Sequence, residues 1–229
     1  MKGKLYVVSG PSGTGKGTLC KALLALRPQI QLSVSCATRQ PRPGEVDGVH
    51  YYFITQEEFL RRRAEGDFLE CAQINGGYWY GTPRGVVLEK LEQGESVLLE
   101  IENNGAQQVI KRYPQTVSVF ILPPDRMALI QRLVDRGTED LERLEKRIGK
   151  VPSELEAAKG YTCLVVNDQV AHATARLAQI FDGDLTVLPR ERETLDRLVQ
   201  EFADPQRSLA LLRDYYQKSR MDFELEVRR

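Results

Sequence analysis

Residues 10 to 18 read Gly-Pro-Ser-Gly-Thr-Gly-Lys-Gly-Thr, and they follow the short apolar run Leu5–Val8 directly. A glycine-rich turn between a strand and a helix is a strong constraint on a fold. It needs a backbone that bends through conformations other residues resist, and it turns a row of N–H groups inward. The spacing is that of the phosphate-binding P-loop, G-x-x-x-x-G-K-[ST], with one change. Gly10, Gly15 and Lys16 stand in place, but Gly17 occupies the usual hydroxyl position and the hydroxyl follows as Thr18. Thr18–Leu26 then reads as a helix stopped by Pro28. Strand, loop and helix in that order form a cradle for an anion, with the helix's positive end behind it and Lys16 reaching over the outer phosphates.

The rest of the chain alternates in the same way. Val97–Ile101, Thr116–Leu122 and Cys163–Val166 are continuous apolar runs, the pattern of strands covered on both faces. Helical periodicity lies between them, over Arg84–Gln93, Ala106–Arg112, Asp125–Arg136 and Gln169–Phe181. The expected fold is α/β, a five-stranded parallel P-loop sheet flanked by helices. Two stretches interrupt it. Residues 35–82 carry prolines, glycines, tyrosines and one helix, Gln56–Glu65, and read as an inserted substrate-binding subdomain. Residues 137–160 are densely charged and read as a mobile lid. The core is then 1–34, 83–136 and 161–185, and residues 186–229 form a C-terminal extension of two amphipathic helices broken near Asp204–Pro205.

Composition narrows the function. Lys plus Arg equals Asp plus Glu at 32 each, which argues against nucleic acid or a membrane surface as a partner. No run approaches the length of a membrane span and no signal peptide is visible, so a cytoplasmic enzyme is expected. The 4 cysteines are scattered and the 2 histidines, His50 and His172, are far apart. Reduced thiols are expected, and a histidine-held metal is not.

A second motif sharpens the reading. Thr38 through Tyr51 spell T-R-x-x-R-x-G-E-x-x-G-x-x-Y. Two arginines and a tyrosine suit a phosphate monoester, because guanidinium donates to phosphate oxygens in pairs. Together with the Gly-Lys-Gly-Thr ending, this resembles the guanylate kinases, which belong to the P-loop nucleoside monophosphate kinases. The resemblance covers about residues 4–182. It implies phosphoryl transfer from ATP to GMP or dGMP, in purine metabolism and GMP recycling.

By matching positions, the resemblance implies ATP contacts at Gly10, Pro11, Ser12, Gly13, Thr14, Gly15, Lys16, Gly17, Thr18, Arg132, Arg136 and Asn167. It implies phosphate ligands for GMP at Arg39, Arg42, Tyr51 and Tyr80, and guanine contacts at Ser35, Glu70, Thr82 and Glu102. Lys16, Arg39, Arg136 and Arg147 would assist transfer. Mg²⁺ would be held through the phosphates and water, with Thr18 as the one candidate protein ligand. Guanine's adjacent N1–H and amino donors suit a carboxylate, and its O6 suits a hydroxyl. Two departures stand out: Glu102 and Asn104 occupy positions where the family has Asp and Gln. Arg143 and Lys146 read as exposed partners of Glu139 and Glu142, and Arg61–Arg63 as a solvated helix face. The rival reading is a catalytically inactive guanylate kinase-like binding module. A related kinase with a sugar-phosphate acceptor is a second, against which Ser35, Glu70 and Thr82 argue.

Overall fold

The computed structural model describes residues 3–73, 77–137 and 139–227, with side chains to residue 221. Asn75 and Gly76 of the tyrosine-rich loop, and Thr138 in the charged segment, lie outside the described residues. The larger sheet has five strands, in the spatial order Ile30–Leu32, Ser96–Glu100, Leu5–Ser9, Val117–Leu122 and Cys163–Val166. The chain forms two compact units, Met1–Ser9 with Leu24–Ser118, and Gly10–Leu23 with Val119–Arg229.

In the first unit, β1 (Leu5–Ser9) is buried along its whole length and pairs in parallel with β7 (Ser96–Glu100). β2 (Ile30–Leu32) pairs with the other edge of β7. Only Ile30 of β2 is buried, and three residues carry no readable periodicity, so this strand escapes sequence analysis. The insert builds its own sheet, in the order Tyr52–Phe53, Cys36–Ala37, Trp79–Pro83 and Phe68–Gln73. Its strands are β3 (Cys36–Ala37), β4 (Tyr52–Phe53), β5 (Phe68–Gln73) and β6 (Trp79–Pro83). Behind it, Cys36, Phe59 and Phe68 make a small core, with Phe59 and Phe68 stacked at 4.4 Å.

Local chemistry sets the helices of this unit. α2 (Gln56–Glu65) begins where the Thr55 hydroxyl accepts the Glu58 N–H, and ends at Gly66 in the left-handed conformation, φ 78°. α3 (Arg84–Glu92) and α4 (Asn103–Arg112) follow β6 and β7.

In the second unit, the loop after Ser9 leads into α1 (Lys16–Leu26). β8 (Val117–Leu122) and β9 (Cys163–Val166) pair in parallel. α5 (Arg126–Asp135) and α6 (Leu141–Ala158) start at Asp125 and Asp140, each accepting a backbone N–H of the first turn. The charged run read as a mobile lid is thus an 18-residue helix with a buried face of Leu144, Ile148, Val151, Leu155 and Ala158.

After α7 (Val170–Phe181), the extension forms α8 (Pro189–Phe202) and α9 (Pro205–Val227). Both start on proline, whose missing N–H costs nothing at a first helical position. Leu195, Leu198, Phe202 and Leu212 are buried, and α8 and α9 pack on α5 and α6. The extension covers its own chain. Glu191, a charged residue within this apolar face, is buried with it. It is 3% exposed, receives Arg176 Nε at 3.3 Å and accepts the Leu188 N–H at 2.8 Å at the start of α8.

Candidate active site

The P-loop is legible atom by atom. Gly10 has φ 144°, and a Cβ there would stand 2.4 Å from the Ile121 carbonyl oxygen. Gly15 has φ 87°, and a Cβ there would meet the Asn167 side-chain nitrogen at 2.5 Å. Both glycines are needed for conformation and for room. The Lys16 ammonium donates to the carbonyls of Gly10 at 2.6 Å and Pro11 at 3.0 Å, so it lies over the loop rather than out in solvent. Gly17 and Thr18 are exposed at the start of α1.

Three side chains from distant sequence brace this loop. Asn167, directly after β9 and 3% exposed, donates its amide to the Thr14 carbonyl at 2.7 Å. Arg132 on α5 donates to the Asn167 carbonyl at 2.9 Å. Arg147 on α6 donates to the Ser12 hydroxyl and to Glu139. Glu139 therefore pairs with Arg147, and the expected Glu139–Arg143 pair is replaced by Arg143 with Asp140 at 3.7 Å. The expected Lys146–Glu142 pair forms, at 2.6 Å. Arg136 is exposed just beyond α5. Among the described residues, Arg132 Nη1 and Asn167 Oδ1 are buried without a hydrogen-bond partner. Such orphans are rare and need a reason.

The other candidate residues gather in the first unit. The register of β5 on β6 sets Glu70 opposite Thr82. The Thr82 hydroxyl donates to Glu70 at 2.7 Å, and Ser35 lies 3.5 Å from Thr82. Glu70 is 4% exposed, and burial pushes its carboxyl up, against the pull of Thr82. Sequence reading missed the residue that makes room for it: a Cβ on Gly105 would stand 2.2 Å from the Glu70 carboxylate. Glu102 caps the same helix, exposed and with no side-chain bond to that cap. Its side chain has no recorded bond to the cluster of Ser35, Glu70 and Thr82 among the described residues.

Arg39, Tyr51 and Tyr80 form a second cluster. Arg39 Nε donates to the Tyr80 hydroxyl at 2.9 Å, and its guanidinium lies 5.0 Å from the Tyr51 ring centre. Its fork is filled by Glu45, at 2.5 and 2.7 Å, and Nη1 also reaches the Gln40 carbonyl. Of five N–H donors, one on Nη2 remains without a recorded partner. The hydrogen bonds from Arg39 hold the Glu45 carboxyl down to about 2. Glu45 also accepts the backbone N–H of Arg42 at 2.8 Å, which leaves the Arg42 side chain exposed at the rim. Glu45 is the second residue missed. The motif over Thr38–Tyr51 spells Glu45, but nothing in its spacing tells that the carboxylate closes back on Arg39.

No three-residue cluster of His, Cys, Asp or Glu suited to a metal occurs among the described residues. Among them, too, no helix is long and apolar enough to cross a membrane, and all four cysteines are free.

The family model for guanylate kinase matches residues 2–184. A guanylate kinase of Symbiobacterium thermophilum is 52% identical over 179 residues, 78% of this chain and 84% of that protein. One from Pseudomonas fluorescens is 43% identical over 200 residues, 87% of this chain and 97% of that protein. The crystal structure of guanylate kinase from Anaplasma phagocytophilum superposes with a TM-score of 0.66 at 30% identity, covering 85% of this chain and 94% of that one. Loop, arginine motif, fold and relatives agree: the chain belongs to the guanylate kinase family.

Proposed function

We propose that this chain transfers the γ-phosphoryl group of ATP to GMP, or dGMP, giving ADP and GDP, as a cytoplasmic enzyme of purine nucleotide metabolism. The observation that carries the choice of acceptor is Glu70, a buried carboxylate beside two hydroxyls. Guanine offers two adjacent donors to a carboxylate and an oxygen to a hydroxyl. Adenine offers no such donor pair and would leave the carboxylate unpaired.

Arg39, Arg42, Tyr51 and Tyr80 are assigned to the phosphate of GMP. With its fork on Glu45, Arg39 acts through charge and its remaining donor, while Arg42 is free to give two-pronged donation. The acceptor phosphate has a second pKa of about 6 and is ionised at neutral pH, so it attacks without a general base. What is left for the protein is positioning and neutralisation of charge.

Lys16 and the loop amides are assigned to the outer phosphates of ATP, with Arg132, Arg136 and Arg147 supplying further positive charge. The two orphaned polar atoms of Arg132 and Asn167 support a polar ligand on this side. Mg²⁺ keeps several waters and binds mainly through substrate phosphates. The exposed Thr18 hydroxyl fits a site that needs only one protein oxygen. When bound, the cation would neutralise phosphate charge. The test is ADP formation with GMP, dGMP, AMP or no acceptor. Brisk turnover with GMP and dGMP alone is expected, and turnover indifferent to the acceptor would refute the reading.

A further inference from the structure

Strand β5 has two faces with different chemistry. Side chains alternate along a strand, so Glu70 and Cys71 point to opposite sides. Glu70 faces Thr82 and Gly105. On the side of Cys71 lies a cavity of about 770 Å³, lined by Arg63, Arg84, Arg112, Gln108 and Tyr113 among others, and by no carboxylate. That volume suits a small metabolite.

The three arginines are unlike their neighbours. Arg61 and Arg62, on the same helix as Arg63, are paired with Glu58 and Glu65. Among the described residues, Arg63, Arg84 and Arg112 have no carboxylate within salt-bridge reach. Arg63 and Arg112 stand in the last turns of α2 and α4, where the helix dipole favours a cation. Arg84 has no such reason. It is the first residue of α3, where the dipole disfavours it, and Pro83 before it gives no side-chain cap. Three guanidinium groups around one cavity repel one another unless an anion joins them.

The cavity is also tied to β5. Arg112 donates to the Leu69 carbonyl at 2.9 Å. Gln108 accepts the Cys71 N–H at 3.3 Å and donates to the Cys71 carbonyl at 2.9 Å. β5 is an edge strand, so these two side chains hold its backbone on either side of Glu70. An anion that draws Arg112 away from Leu69 would move the Glu70 carboxylate.

We propose that the cavity behind β5 is a second binding site, for a small phosphorylated anion, and that its occupation alters GMP affinity through the Leu69–Cys71 backbone. The coupling rests on the reading of Glu70 as the guanine contact; the site itself does not.

The chain carries its own reporter. Trp79, its 1 tryptophan, lies under the Arg63 guanidinium at 4.5 Å. Inorganic pyrophosphate is titrated into the full chain, saturated with GMP and ADP and free of magnesium, with Trp79 fluorescence and heat as readouts. One saturable step is expected, weakened roughly tenfold or more by Arg63→Gln with Arg84→Gln, while GMP turnover without pyrophosphate stays unchanged. CTP in place of pyrophosphate separates the two sources of phosphate: tighter binding assigns a nucleotide, looser binding the free anion. GMP affinity, measured by dialysis with ADP present, should shift on adding pyrophosphate, and pyrophosphate affinity by the same factor on adding GMP. No saturable step, or the same step in the double variant, would overturn the site. Binding that leaves GMP affinity unchanged would overturn the coupling. A failure of the Glu70 reading would show separately, as an unchanged GMP-to-AMP preference in Glu70→Gln without pyrophosphate.

Discussion

Lys16 and Glu45 illustrate how single side chains carry separable burdens. Lys16 donates to the Gly10 and Pro11 carbonyls of its own loop, which holds its charge over the site assigned to the outer phosphates of ATP. Lys16→Ala should lower kcat by a factor corresponding to about 3–4 kcal/mol, with the folded state retained in circular dichroism. Near-normal turnover would remove the P-loop from the mechanism. Glu45 is a stability element as well as a clamp on Arg39. Its carboxyl is held down to about 2 in the fold, against an ordinary 4.5. A depressed acid stabilises above its unfolded value and loses that contribution as pH falls towards its folded one. Wild type should therefore exceed Glu45→Gln in denaturant midpoint at pH 7, and the gap should narrow from about pH 5 to about pH 3. A gap independent of pH would show that the pair contributes no linkage.

At the scale of elements, the extension is anchored by one buried pair and several exposed ones. Arg176 and Glu191 are 9% and 4% exposed at their side chains, and Arg176 also reaches Asp184 at 2.9 Å. Arg176→Ala would leave the buried Glu191 without its cation, although the Leu188 N–H still donates to it at 2.8 Å, and should cost about 3–5 kcal/mol in chemical denaturation. Arg213→Ala, which breaks a pair with Glu145 from a side chain 53% exposed, should cost no more than about 1 kcal/mol. Equal costs would contradict this ranking.

The same contrast explains what could be read in advance. The P-loop, the α2 boundaries and the break at Pro205 depend on neighbours in sequence, and each is legible there. β2 is too short to show a period. The Arg147–Glu139 pair and the burial of Glu191 depend on which faces meet, which no local pattern records. Of the candidate site, the residue types and motif spacing were readable. Gly105 was not, because its need arises from a carboxylate 35 positions earlier in the chain.

Across the whole molecule, the residues assigned to GMP fall between Ser35 and Glu102, and the extension packs on helices that carry the ATP-side arginines. α9 joins α6 through Arg213–Glu145 and α5 through the Tyr215 hydroxyl on Asp135 at 3.0 Å. Truncation after Gly183 should lower the thermal midpoint and raise the KM for ATP, leaving the GMP-to-AMP preference intact. A changed preference would show that the extension reaches the base. That preference depends above all on Glu70, so the decisive measurement is the ratio of kcat/KM for GMP to that for AMP in wild type and in Glu70→Gln. Glutamine must present a donor where the carboxylate only accepts. The ratio should fall by about tenfold to a hundredfold, the cost of one unsatisfied buried polar group, with the KM for ATP nearly constant. An unchanged ratio would contradict the assignment of Glu70 as the residue that reads guanine.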